Sequence, residues 1–155
     1  MNRLALMVAT FGYVGYFPIA PGTAGSLAAL ALFALVRRVG VPAFELGTIV
    51  VVLAGGIWAA NATEQVLGQK DPGPIVIDEV LGMLMTLALL PVSGFGIVAG
   101  FLLFRLFDVV KPFPAGRMEH LKGGPGVMLD DAVAGVYAHL SLRLLALLVP
   151  TWLMV

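Results

Sequence analysis

No cysteine occurs among the 155 residues, which excludes disulfides, thiolate metal sites and a cysteine nucleophile at once. Charge is nearly as scarce. Asp, Glu, Lys and Arg make up 12% of the chain, against roughly 25% in ordinary soluble domains. Nine basic residues offset nine acidic ones, so no basic excess is left to hold a polyanion by counterion release, and nucleic-acid binding is excluded. What fills the chain is apolar: 60% of residues are hydrophobic and the mean hydropathy is +1.02. Too few charges remain to cover a water-facing surface, and a disordered chain is equally excluded. The length fits one domain, residues 1–155. This is the composition of an integral membrane protein.

The N-terminus reads Met1-Asn2-Arg3 and then runs apolar to Phe17. Pro18, Pro21 and neighbouring glycines stand where a signal peptide would carry a small-residue cleavage site, so the segment reads as retained. Tyr13, Tyr16 and Phe17 suit a membrane–water interface. Beyond it, five apolar stretches approach the roughly 20 residues that a crossing helix needs. The first opens at Gly25-Ser26 and runs to Arg37-Arg38; the others cover about residues 44–67, 75–90, 94–110 and 131–149. Pro91, Pro112 and Pro150 follow the last three, and proline removes a backbone donor and restricts the residue before it. The expected fold is therefore all-α, a polytopic membrane helix bundle of about five spans with an N-terminal interfacial segment. No internal repeat, low-complexity tract or linker interrupts it, and nothing in the sequence sets an oligomeric state.

Five alternating spans bring residues 21–26, 70–79, 105–114 and 123–131 to one side of the membrane. These are the most polar or glycine- and proline-rich stretches in the chain. Arg3, Lys70, Arg105, Lys111, Arg117 and Lys122 fall near that side, while Arg37, Arg38 and Arg143 fall toward the other. The excess places the converged side in the cytoplasm, although Arg37-Arg38 pull the other way.

Five of the nine acidic residues, Asp78, Glu79, Asp108, Asp130 and Asp131, sit at the ends of apolar spans. An Asp at a helix centre costs about 2.5–3.5 kcal/mol on insertion scales, and less near the interface. Helix capping explains part of the pattern, since a carboxylate at a helix start stabilises the dipole by about 0.3–1 kcal/mol. Capping needs one carboxylate per helix, however, and leaves Asp108 at the wrong pole. Carboxylates without His or Cys favour a hard cation such as Mg2+ or Mn2+. Adjacent helical residues point about 100° apart, so one member of each pair is expected to bind metal while the other caps or supports it; spacing does not say which.

Arg105, Asp108 and Lys111 recur at intervals of three on one helix face. They form either an intrahelical ion pair or an anion grip, with Arg holding phosphate through two parallel hydrogen bonds and Lys acting as a point charge. Pro21-Gly22-Thr23-Ala24-Gly25-Ser26 offers close backbone approach, two hydroxyls and helix-start amides, yet lacks the Lys and spacing of a P-loop. Gly123-Gly124-Pro125-Gly126 is a flexible turn or a loop that admits phosphate beside Asp130. His120 reads as a solvated interface residue and His139 as packed within the bundle. Together these features point to chemistry on a membrane-embedded phosphate ester.

Four stretches then resemble the phosphatidylglycerophosphatase A family: GYFPIAPGTAGS (15–26), DPGPIVIDEVLGM (71–83), FRLFDVVKPFP (104–114) and GGPGVMLDDAVAG (123–135). They come in the family's order over most of the chain. The resemblance implies an integral enzyme of the inner membrane in bacterial phospholipid synthesis. It implies Mg2+-dependent removal of the terminal phosphate of phosphatidylglycerophosphate to give phosphatidylglycerol. It also implies site residues: Asp78, Glu79, Asp130 and Asp131 for metal; Asp108, Arg105, Lys111 and Asp131 for catalysis; Gly22, Thr23, Gly25, Ser26, Arg105 and Lys111 for phosphate. Asp108 is expected to act as general base, further ligand or nucleophile.

Two other readings compete. A CDP-alcohol phosphotransferase also uses paired aspartates and Mg2+, but needs a longer Asp-rich signature, whereas Asp131 is followed by Ala132-Val133-Ala134-Gly135. A small ion transporter would place its carboxylates at mid-span rather than at one end.

Overall fold

The computed structural model describes residues 3–155, so Met1 and Asn2, the start of the expected N-terminal segment, lie outside the described residues. The fold is all-helical. Its elements are α1 (Arg3–Ala9), α2 (Pro21–Val39), α3 (Pro42–Leu67), α4 (Ile77–Leu87), α5 (Gly94–Val110), α6 (Ala115–Met118), α7 (Gly124–Leu148) and α8 (Pro150–Leu153), with a 3-10 turn at Val14–Tyr16 between α1 and α2. Among the described residues there is no β-strand, only an isolated antiparallel bridge between Val92 and Met154.

Among the described residues three helices, α2, α3 and α7, are long and apolar enough to cross a membrane. α5 follows its expected bounds of residues 94–110 but has only 17 residues, about 26 Å at the helical rise. Ser93 caps it by accepting from Gly96 N at 3.1 Å. The expected span at 75–90 is shorter still. α4 holds 11 residues, about 16 Å, against a hydrocarbon core of about 30 Å. Its end is set by tertiary structure rather than by Pro91. Leu89 adopts a left-handed backbone (φ 57°), and its N–H donates to Glu45 Oε1 of α3 at 2.8 Å. The other Glu45 oxygen pairs with Arg37 at 3.4 Å, so Arg37 ties the end of α2 to the start of α3.

Two expected starts also move. α2 begins at Pro21 and α7 at Gly124, each with a proline in its first two positions. Proline's missing N–H is harmless there and its fixed φ suits the helix. The glycine-rich stretch 21–26 is thus the first turns of α2 rather than a loop before it. The Asp130-Asp131 pair lies well inside α7 and does not open the helix, which removes the capping explanation for it. The N-terminal segment also joins the bundle: α1 packs on α3 with Ala5 and Ala9 buried.

α4 is the hub. Nine of its residues are buried, and it packs against α2, α3, α5 and α7. Small residues permit this density. A Cβ on Gly135 of α7 would lie 2.6 Å from the Gly82 carbonyl oxygen of α4, the close backbone approach by which helices associate in lipid. Outward faces are apolar instead: Leu102, Leu144 and Leu147 are 61%, 63% and 79% exposed, which suits a bilayer and not water. Gly135→Val should therefore force α4 and α7 apart and destabilise the detergent-solubilised protein by about 1–3 kcal/mol or more. An unchanged thermal unfolding midpoint would contradict this packing.

Candidate active site

A cavity of about 370 Å³ opens at one end of the bundle. Its walls come from the start of α2 (Pro21, Gly22), the segment between α3 and α4 (Asp71, Gly73, Ile75), the first turn of α4 (Asp78, Glu79), the end of α5 (Arg105, Asp108, Val109, Lys111) and the early part of α7 (Asp130, Asp131). Segments far apart in sequence thus meet where alternation of the helices brings them.

Asp78, Glu79 and Asp131 each present one carboxylate oxygen within 4.8 Å of the other two. Both members of the α4 pair therefore reach the cluster. Asp130 belongs elsewhere: its Oδ2 accepts from Lys111 Nζ at 2.7 Å. Asp78 Oδ1, Glu79 Oε2, Asp130 Oδ1 and Asp131 Oδ2 are buried without a hydrogen-bond partner among the described residues. Each such oxygen is costly, about 1–3 kcal/mol and more when charged. Several converging oxygens with no His among the lining residues form a donor set that fits a hard divalent cation.

The basic groups are held beside these acids. Arg105 Nη1 pairs with Asp108 Oδ2 at 2.6 Å and with Glu79 Oε1 at 3.9 Å, and it donates to Ser26 Oγ at 3.4 Å. Lys111 pairs with Asp130 and, at 3.4 Å, with Glu119 Oε2. Burial works against the charge on Lys111, but the hydrogen bond and charge of Asp130, with Glu119 and Asp131 adding, hold its pKa above the ordinary lysine value. Lys111 keeps its ammonium and is no general base. The turn that carries it is fastened to α7, since Tyr137 Oη donates to the Phe113 carbonyl at 2.7 Å.

Of the expected phosphate-binding loop, only Gly22 lines the cavity; Thr23, Gly25 and Ser26 do not. Gly25 packs against Val76, while Ser26 is buried, donating to the Gly22 carbonyl at 2.9 Å and accepting from Arg105. His120 is exposed, and His139 lies in the bundle with Nδ1 3.2 Å from the Thr86 carbonyl oxygen.

A family model described as phosphatidylglycerophosphatase A matches residues 7–146. The chain belongs to the phosphatidylglycerophosphatase A family. It is an enzyme of the lipid-phosphatase kind that the family name denotes. Phosphatidylglycerophosphatase A of Escherichia coli is 39% identical over 139 residues, covering 87% of this chain and 78% of that protein. Phosphatidylglycerophosphatase A of Haemophilus influenzae is 40% identical over 141 residues, covering 89% and 85%. A Bacteroides thetaiotaomicron protein provisionally named a phosphatidylinositol-3-phosphatase is 39% identical over 144 residues, covering 88% and 90%. No solved structure matches the chain.

In this phosphatidylglycerophosphatase A family member the structure adds residues that the sequence reading passes over. Asn61 Oδ1 accepts from Gly124 N at 2.6 Å, and Glu64 Oε1 accepts from Asp71 N at 2.7 Å. These two side chains, three residues apart near the end of α3, fix the start of α7 and the segment before α4. The signal was available as two polar residues on successive turns of an apolar helix. Gly22 is a further constraint, because a Cβ there would collide with the Glu79 carboxylate. Gly22→Ala should displace that carboxylate and cut lipid-phosphatase activity by roughly tenfold or more while the protein still folds. Wild-type activity in this variant would show that Glu79 is free to move.

Proposed function

We propose that the protein hydrolyses the terminal phosphomonoester of phosphatidylglycerophosphate, giving phosphatidylglycerol and phosphate, with Mg2+ as cofactor. The observation that carries this reading is the meeting of four partnerless buried carboxylate oxygens with Arg105 and Lys111 in one cavity, at the end of an apolar bundle. Asp78, Glu79 and Asp131 would hold the cation, with Asp130 at its edge. When bound, Mg2+ supplies charge neutralisation at the phosphate and makes water a better nucleophile.

The chain's own residues do the rest. Arg105 and Lys111 exchange part of their pairing with Asp108 and Asp130 for phosphate oxygens, and neutralise charge as the transition state forms. The first turn of α2 leaves backbone N–H groups without helical partners beside Gly22, and these add to the grip. Asp108, held by Arg105 at 2.6 Å, serves as general base toward water or as a further ligand. A carboxylate engaged so closely is better placed to orient a proton than to attack phosphorus.

The apolar exterior supports a bacterial inner-membrane protein with five membrane-embedded helices, in which α4 is enclosed by its neighbours and α5 is a short span. The basic residues near the cavity support a cytoplasmic site. Because the chain has no native cysteine, Lys122→Cys is a clean reporter: an impermeant maleimide should label it in inverted vesicles and not in intact cells. The reverse pattern would turn the site outward.

The decisive assay is phosphate release by the purified protein from phosphatidylglycerophosphate with and without Mg2+, beside phosphatidylinositol 3-phosphate. Release from the first lipid only, and only with Mg2+, is expected. Asp78→Asn and Asp130→Asn should each reduce turnover by at least about a hundredfold without loss of folding. Near-normal turnover in both variants sinks the carboxylate model, and preferred release from the inositol lipid moves the substrate to that of the Bacteroides relative.

A further inference from the structure

Most polar side chains that line the cavity are committed. Arg105 holds Asp108 and Glu79, Lys111 holds Asp130, and Asp78, Glu79 and Asp131 form the cluster. Asp71 is the exception. It lines the cavity, and its side chain makes no hydrogen bond or ion pair among the described residues. The clustered acids are buried or nearly so, whereas Asp71 is exposed, which puts it at the mouth.

The residue is held there by a rigid surround. Its backbone N–H is taken by Glu64, and its own backbone is left-handed (φ 46°). Lys70 before it donates to the Glu119 carbonyl at 2.6 Å. After it, Ile75 N closes a turn onto the Pro72 carbonyl at 2.8 Å, and Val76 N donates to the Ala9 carbonyl at 3.0 Å. These bonds hold the backbone that carries Asp71 and leave its carboxylate unpaired at the mouth of the proposed phosphate site, the arrangement of a group that reads the substrate. The remaining lining residues, Ala20, Pro21, Gly22, Gly73, Ile75 and Val109, offer no polar side chain.

We infer that Asp71 is a specificity-determining residue, accepting a hydrogen bond from a free hydroxyl on the headgroup alcohol of the lipid phosphomonoester. This rests on the proposed phosphatase reading, in which the phosphate sits among Arg105, Lys111 and the buried carboxylates. The alcohol that carries the phosphate must then pass the mouth. The headgroup glycerol of phosphatidylglycerophosphate has a hydroxyl next to its phosphate-bearing carbon. Phosphatidic acid carries its phosphate directly on diacylglycerol and has no such hydroxyl. An acceptor at the mouth therefore separates two lipids whose reacting groups are the same, and sites that hydrogen-bond a substrate hydroxyl discriminate strongly against analogues lacking it.

The test compares kcat/KM for phosphate release from phosphatidylglycerophosphate and from phosphatidic acid in mixed micelles with Mg2+. In the wild type the first lipid is preferred. Asp71→Ala should lower the ratio of the two by about tenfold or more. Asp71→Asn suits the left-handed backbone and keeps an uncharged acceptor, so it should lower the ratio less. A ratio that stays at the wild-type value in both variants, whether rates hold or fall together, overturns the inference and leaves the phosphatase reading standing. A folded wild type that releases phosphate from neither lipid overturns the phosphatase reading, and the role of Asp71 with it.

Discussion

Everything in this fold turns on holding carboxylates close together where water is scarce. Asp78, Glu79 and Asp131 bring oxygens within 4.8 Å of one another, and several oxygens around them have no partner. Like charges this close repel, and buried acceptors without donors lose hydration. Such a cluster calls for a rigid scaffold and for positive charge, as protons or cations, to offset the repulsion. Arg105 and Lys111 stand beside the cluster for part of that need, and the proposed cation meets the rest.

Rigidity comes from the short central helix. α4 is enclosed by four other helices, so its first turn delivers Asp78 and Glu79 to a fixed place. The Gly82–Gly135 approach brings α7 close enough for Asp131 to meet them. At the far end of α4, Glu45 binds both Leu89 N and Arg37, which stops the helix and seats it between α2 and α3. The arginine pair that sits awkwardly with the orientation signal thus has a structural use for at least one member. Around the mouth, Glu64, Asn61 and Tyr137 pin the loops to the helices. The proposed catalytic groups sit on helices or, for Lys111, at a helix end, and the loops that complete the cavity are tied down one by one.

Much of this was legible in the sequence, for physical reasons. α3 and α5 are long, mostly apolar runs, and their bounds fall on or close to the expected ones. The side-by-side placement of the polar stretches follows from alternation alone. The starts of α2 and α7 were misplaced because Pro21 and Pro125 act as helix starters, a role that local pattern does not separate from breaking. The length of α4 was misplaced because its end depends on Glu45, more than forty residues earlier. Which acids cluster was beyond spacing, since it depends on side-chain length and on Lys111 drawing Asp130 away. Asp71 falls within the 71–83 stretch but is not set apart by it, since its place at the cavity depends on Glu64 of α3 holding its N–H.

If the Asp78, Glu79 and Asp131 cluster is a built divalent-cation site, it binds such an ion whether or not lipid is present. Mn2+ electron paramagnetic resonance on the detergent-solubilised protein tests it without reference to turnover. A slowly tumbling, protein-bound Mn2+ signal that Mg2+ displaces and that is lost in Asp131→Asn is expected. A bound signal of equal strength in that variant, or none in the folded wild type, would contradict it.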